Sequence, residues 1–206
     1  MVKTGGKMVA KENLKIVRLK GHEALPYITD LAKLRIEIFK HYPYLYLGDM
    51  EYEKRYLQTY ANSPESVMVL VFDKDIVVGA STAIPLEFEP IEFQQPFIDN
   101  AINIKEVFYF GESVLLPAYR GKNIYRHFFH ERETAAREFG SKITAFCAVS
   151  RPENDPRKPL DYRPLDNIWA RFGYEKHPEL CAHLEWKEIG ENTPTAKPLI
   201  FWIKKL

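Results

Sequence analysis

The sequence predicts an α+β domain in which helices flank a mixed sheet, and three observations carry that prediction. Short apolar runs with strand character recur along the chain, two of them, SVMVLVFD and DIVVGAST, meeting at Asp73-Lys74-Asp75, a hairpin signal. From Val107 onward a strand, a Gly-containing turn, an amphipathic helix and a second strand follow one another in the order of a β-α-β unit. The 206 residues, 46% of them hydrophobic, suffice to bury one core without disulfides or metals. A single domain over 14–206 is therefore expected behind a loose tail over 1–13.

The elements follow in order. Residues 14–19, LKIVRL, alternate apolar and basic positions as a half-buried strand does, and Gly21 stops it. Pro26 suits the first turn of a helix, and Tyr27, Ile28, Leu31, Leu34 and Ile38 recur at helical spacing, so a helix is predicted over 25–39. Tyr42, Tyr44, Tyr46, Tyr52 and Tyr56 crowd the next stretch around Asp49, which suits the cap of a second helix running through Ala61. Such amphipathic rings either wall an acceptor pocket or cover the core. Asn62-Ser63-Pro64 ends that helix, and the hairpin follows. Residues 85–105, rich in Pro, Gln and acidic side chains, read as a loop with a short helix crossing one face of the sheet.

VFYFGESVLL is a mostly apolar strand interrupted by Gly111 and Glu112, and after the turn LPAYRGKNIY the helix IYRHFFHERETAAREF closes at Gly140. Its apolar stripe holds Ile124, Phe128, Ala135 and Phe139. KITAFCAV is a buried-type strand. The four prolines of RPENDPRKPLDYRPLD stiffen a surface loop, DNIWARFGY makes a short helix ending at Gly173, and LCAHLEWKE and PLIFWIKK supply the last two strands.

Composition narrows the function classes. The 29 Lys and Arg nearly cancel the 28 Asp and Glu and are interleaved with them, so no basic stripe exists to hold nucleic acid or an anionic membrane. Cys147 and Cys181 sit in apolar runs without paired ligand spacing and read as buried reduced thiols. Neither a signal-like apolar run nor a membrane span is found, so a cytoplasmic protein is expected.

A helix starting straight after a strand and a short basic turn offers unpaired N–H groups and the positive end of its dipole to an anion, most naturally a phosphate. Here the turn is Arg120-Gly121-Lys122-Asn123-Ile124-Tyr125. Alone it is weak evidence, because many strand-helix turns carry Gly and Lys. The longer stretch VLLPAYRGKNIYRHFF, however, resembles the central acyl-CoA-binding motif of the GNAT superfamily of N-acetyltransferases. In that motif a hydrophobic-x-Pro turn runs into Arg/Gln-x-x-Gly-x-Gly/Ala and a helix. The order of elements from about residue 14 to the C-terminus is similar as well.

The resemblance implies a central mixed, mostly antiparallel sheet of about six to seven strands with about four helices. It implies acetyl-CoA or another short acyl-CoA as co-substrate, with its pyrophosphate on the turn formed by Arg120, Gly121, Lys122, Asn123, Ile124 and Tyr125. Val114, Leu115 and Leu116 would run beside the pantetheine arm, where the strand splays from its neighbour and Cys147 lies near the notch. The expected activity is transfer of an acyl group to a primary amine of a small molecule or a protein, with a homodimer as an option. Three positions depart from the motif. Asn123 and Tyr125 stand where small residues are usual, and Trp169 stands where many members carry a tyrosine. Asn tolerates a left-handed backbone, but the Tyr125 ring must either meet the pyrophosphate or swing aside. These departures motivate a rival reading, a weakened domain serving as an acyl-CoA-responsive or protein-binding module.

Acyl transfer from a thioester needs a neutral amine, a polarised carbonyl and a stabilised thiolate. Glu112, set in an apolar strand, is the candidate general base, with an ion pair to an arginine as the structural alternative. Trp169 cannot supply a proton at neutral pH, which leaves Tyr162 in the adjacent loop as a stand-in acid. His127, His130 and Glu131 read as a solvated helix face, so no metal is expected. Arg151, Arg157 and Arg163 either select an acceptor or merely solvate their loop.

Overall fold

The computed structural model describes residues 14–206, and the tail expected over 1–13 lies outside them. Seven strands form one sheet in the order β1-β2-β3-β4-β5-β7-β6. They are β1 (Leu14–Lys20), β2 (Val67–Asp73), β3 (Ile76–Pro85), β4 (Val107–Leu115), β5 (Ile143–Val149), β6 (Glu175–Trp186) and β7 (Thr195–Lys205). Every neighbouring pair is antiparallel except β4 and β5, which the crossover helix joins in parallel. The helices are α1 (Ile28–Phe39), α2 (Met50–Asn62), α3 (Ile91–Asp99), α4 (Ile124–Phe139) and α5 (Asp166–Arg171). The mixed, mostly antiparallel sheet is as expected, with five α-helices among the described residues.

The helices bury both faces of the sheet. On one face α1, α2 and α3 pack Leu31, Leu57 and Phe97 against Met68, Leu70, Val107 and Phe201. On the other, α4 sets Phe128 and Phe129 over β2 to β5, and an aromatic cluster of Phe110, Phe146, Tyr174 and Trp202 fills the layer beneath.

Several boundaries differ from the sequence expectation: β3 runs on to Pro85 rather than Thr82, β7 starts at Thr195 rather than Pro198, and two further differences have a local cause. The helix predicted over 25–39 is α-helical only from Ile28, because residues Gly21–Tyr27 form a tight three-residue-per-turn helix that holds Pro26, whose missing N–H cannot join an α ladder. The penultimate strand starts at Glu175 rather than Leu180. It carries Pro178 across a register shift between His177 and Cys181, which an edge strand tolerates. Elsewhere the expectations hold: Asp49 caps α2 by accepting from the Tyr52 amide at 2.6 Å, α3 occupies the irregular 85–105 segment, and Gly140 ends α4 with φ 88°.

Candidate active site

The site is built where β4 and β5 part. Their parallel pairing runs from Val107–Ile143 to Tyr109–Ala145 and stops there. A bulge explains the departure. In the β3–β4 ladder Ser81 faces Ser113 and Ala83 faces Phe110, so Thr82 alone opposes the two residues Gly111 and Glu112. The extra residue bends β4 away from its neighbour. Arg132, a fully buried side chain of α4, donates to the Glu112 carbonyl at 3.2 Å and lies over the Phe110 ring at 4.4 Å, holding the bulge from that face.

At the open end of the gap, β4 passes through the tight turn Pro117–Tyr119 into α4. Gly121 takes φ 77° and Asn123 φ 64°, two left-handed residues that reverse the chain and aim the helix start back at the strands. Asn123 gives its side chain to no cap, and its carbonyl accepts first from the Arg126 and His127 amides. The amides of Ile124 and Tyr125 thus precede the helical ladder and point out of its positive end. Nothing lies within 4 Å of the position a side chain would take on Gly121, so the turn borders open space.

Tyr125 does not lean over that turn. Its ring packs on Phe129 at 5.2 Å and Phe172 at 6.3 Å, and its hydroxyl accepts from Trp169 Nε1 at 2.8 Å. Burial raises the phenol's pKa, although the indole hydrogen bond pulls the other way. Trp169 in turn packs on Phe146 of β5 and Trp202 of β7. Together the two side chains form a bar that bridges α4 and α5. Val114 is fully buried toward α1, Leu115 packs with Ile124 and Phe128, and the Leu116 amide bonds the Val78 carbonyl at 3.0 Å.

On the sheet face covered by α1 and α2, β4 meets buried charge. The guanidinium of Arg35, from α1, bonds Glu53 of α2 through Nε and Glu112 of β4 at 2.5 Å, and lies between the rings of Tyr56 and Phe39. Burial lowers the Arg35 pKa, but Glu112 and Glu53 beside it outweigh that and hold the group well above its ordinary value. Burial likewise raises the Glu112 carboxyl, opposed by Arg35. Nearby, Tyr60 donates to Glu89, and Tyr56 and Tyr60 hydroxyls are 3.1 Å apart. Glu89 is pushed up to about 7, chiefly by burial. Tyr109 Oη and Cys147 Sγ meet at 3.2 Å across the base of the gap, and burial pushes the thiol up to about 12, so it stays protonated.

The proline-rich loop is clamped rather than free. Arg151 donates to the Pro43 carbonyl at 2.8 Å and to Glu188 at 2.5 Å, and Arg157 donates to the other Glu188 oxygen and to Asp155. Asp155 is thereby held down at about 2. Tyr162 stacks edge-on against Tyr42 at 4.7 Å, Arg163 is exposed, and so are His127 and His130. Of the expected residues, Glu112, Val114 and Leu115 belong to β4, Leu116 follows them, and the Arg120–Tyr125 turn leads on into α4. The tyrosine-rich stretch divides, with Tyr52 exposed and Tyr44 and Tyr56 packed against the core. Arg35, Glu53, Tyr60, Glu89 and Arg132 surround the β4 bulge without having been singled out. Only the i, i+4 spacing of Tyr56 and Tyr60 could have flagged any of them.

No protein-family model matches the sequence, and no curated protein matches it. Solved structures do. The ribosomal-protein-alanine N-acetyltransferase of Brucella melitensis superposes over 93% of this chain and 99% of its own, with a TM-score of 0.58 at 17% identity. An acetyltransferase of the GNAT family from Streptococcus pneumoniae covers 94% of this chain and 99% of its own, with a TM-score of 0.55 at 11% identity. The protein yncA of Salmonella typhimurium, solved with its cofactor acetyl-CoA, covers 94% of each, with a TM-score of 0.58 at 10% identity. The split between β4 and β5, the helix start aimed at it and the likeness over nearly the whole described chain lead to one conclusion: this protein has the GNAT fold.

Proposed function

We propose that the protein is an N-acyltransferase that moves an acetyl or other short acyl group from acyl-CoA to a primary amine of a small molecule or protein, by direct attack on the thioester. The observation that carries this reading is the β4–β5 gap facing the uncapped start of α4, with open space over Gly121. The residues present fit an acyl-CoA there. The Ile124 and Tyr125 amides would bind the pyrophosphate, assisted by the charges of Arg120 and Lys122. Val114, Leu115 and Leu116 would flank the arm that enters the gap. The coenzyme, when bound, supplies the thioester, and a backbone N–H of the bulged strand would polarise its carbonyl.

The amine would arrive from the Arg35 face. Glu112 retains one oxygen, Oε1, without a hydrogen-bond partner among the described residues, so it stands as one candidate for accepting a proton, with Tyr162 as candidate donor. The test is thiol release from acetyl-CoA in the presence of a panel of primary amines. Turnover with any of them supports the reading, and its absence with all of them counts against it.

One observation favours the rival reading, a coenzyme-responsive module without efficient catalysis: Tyr125, in the first turn of α4, is tied to Trp169 of α5 instead of being the small residue usual there. The substitution Tyr125→Gly separates the two. A gain in coenzyme affinity and in turnover would mark the bar as a block; a collapse of binding would mark the tyrosine as part of a working site.

A further inference from the structure

The Arg35 face holds three carboxylates, Glu53, Glu89 and Glu112, exposed by 0%, 3% and 5%. Each keeps one oxygen with no hydrogen-bond partner among the described residues. They are not equivalent. Glu53 and Glu112 share the Arg35 guanidinium, a cation that opposes protonation of Glu112. Among the described residues Glu89 is bonded to no cation, and its one side-chain partner is the Tyr60 hydroxyl. Its backbone is fixed as well. Pro90 follows it and restricts it to the extended conformation seen, φ −80° and ψ 157°, and Gln94 of α3 donates to its carbonyl at 2.5 Å.

The hydroxyls form a path. Tyr56 is half-buried, its hydroxyl lies 3.1 Å from that of Tyr60, and Tyr60 reaches Glu89. The middle of this path rests on the bulge of β4. A side chain at Gly111 would collide with the Tyr60 hydroxyl and with Thr82 Oγ1, so Tyr60 sits directly on the bulge of β4, two residues past the last β4–β5 pair.

Building on the transferase reading above, we propose that Glu89 is the terminal proton acceptor of the acceptor site, reached from the incoming amine through the hydroxyls of Tyr56 and Tyr60. The step is a concerted hop. The ammonium gives one proton to Tyr56 Oη, Tyr56 passes its own to Tyr60, and Tyr60 passes its own to Glu89 Oε1. The result is a neutral amine, two neutral tyrosines and a neutral carboxylic acid. The amine nitrogen then bonds the thioester carbon, the C–S bond breaks, the nitrogen's surplus proton ends on the sulfur, and Glu89 returns its proton to solvent. The direct consequence for substrate class is an acceptor that enters as an ammonium ion.

Groups around Glu89 bear on its titration from each neighbouring element: Tyr52, Tyr56 and Tyr60 on α2, Arg35 on α1, Glu112 and Tyr109 on β4, and Cys147 on β5. Tyr56, Tyr60 and Tyr109 are raised well above the ordinary phenol range by burial, and Cys147 is raised to about 12. Glu89 at about 7 is thus placed to exchange a proton near neutrality while these neighbours stay protonated.

The test uses the full chain, Glu89→Gln and Tyr60→Phe, with two readouts. Difference infrared spectroscopy should show a protonated carboxyl band lost as pH rises through about 7, absent in Glu89→Gln and kept in Tyr60→Phe. Thiol release from acetyl-CoA with simple alkylamines should rise through the same pH in the native protein. Both variants should lose on the order of a hundredfold in kcat/KM, and Glu89→Gln should also lose the rising limb. A carboxyl band that is missing, or that survives in Glu89→Gln, overturns the proposal. So does native-like turnover with an intact limb in Glu89→Gln, which leaves the transferase reading standing. No thiol release from the native protein with any amine overturns the transferase reading, and the relay falls with it whatever the infrared result.

Discussion

Replacing Tyr125 by phenylalanine removes one oxygen from the Tyr125–Trp169 bar between α4 and α5 and little else. The ring contacts with Phe129 and Phe172 remain, and the bond lost is the one from Trp169 Nε1 at 2.8 Å. A hydrogen bond between two neutral, largely buried groups contributes about 1 kcal/mol net. If the coenzyme arm displaces the bar on entry, that stabilisation is lost on binding in the native protein and not in Tyr125→Phe. The variant should therefore bind free CoA about fivefold more tightly. Trp169→Phe should do the same, because it deletes the other end of the same bond. Isothermal titration of the three proteins with CoA measures this, with a thermal melt to show that each is folded. Unchanged affinity would mean that the bar does not lie in the arm's path. Weaker binding in Tyr125→Phe alone would mean that the hydroxyl itself holds the coenzyme, and either result refutes the gate.

The remaining predictions concern the buried charges and the turn. Glu89 is raised from 4.5 to about 7 in the folded protein, which therefore holds a proton in that window that the unfolded chain has released. Stability should fall by on the order of 3 kcal/mol as pH rises through the window. In Glu89→Gln that slope should vanish, leaving the variant more stable than the native protein above pH 7; urea unfolding at several pH values decides it, and a native-like slope in the variant would contradict it. Arg35→Met leaves Glu53 and Glu112 buried without their cation and should cost about 3 to 5 kcal/mol, a loss visible in the same unfolding series. A cost below about 1 kcal/mol would show that the pair is nearly neutral to stability. Asn123→Gly should leave stability unchanged, because glycine takes φ 64° freely, whereas Asn123→Val should cost about 1 to 2 kcal/mol by thermal melting.

The sequence made the local features readable and left the long-range ones hidden. The hairpin at Asp73-Lys74-Asp75, the Asp49 cap, the Gly140 stop and the left-handed tolerance of Asn123 are each decided within a few residues, and all four are present. The swing of Tyr125 was legible as one of two options, but its partner Trp169 lies 44 positions away, and no periodicity links them. The same holds for Arg35, Glu53 and Glu112, which come from three elements and meet only because the bulge turns Glu112 toward α1. Gly111 was visible as an interruption; its cause, the Tyr60 hydroxyl resting on its backbone, belongs to a tertiary contact. Arg132 misleads for a similar reason. On a helix rich in Arg and Glu it reads as solvated, yet it is buried because the bulge offers it carbonyl oxygens.

The central claim is that the start of α4 and the parted strand beside it hold an acyl-CoA, and backbone amide shifts on titration with free CoA test it most directly. The account predicts saturable shifts concentrated at Ile124 and Tyr125 and along Val114, Leu115 and Leu116, with the Trp169 indole signal moving as its bond to Tyr125 breaks. Shifts confined to other elements, or none with CoA in large excess, would contradict it.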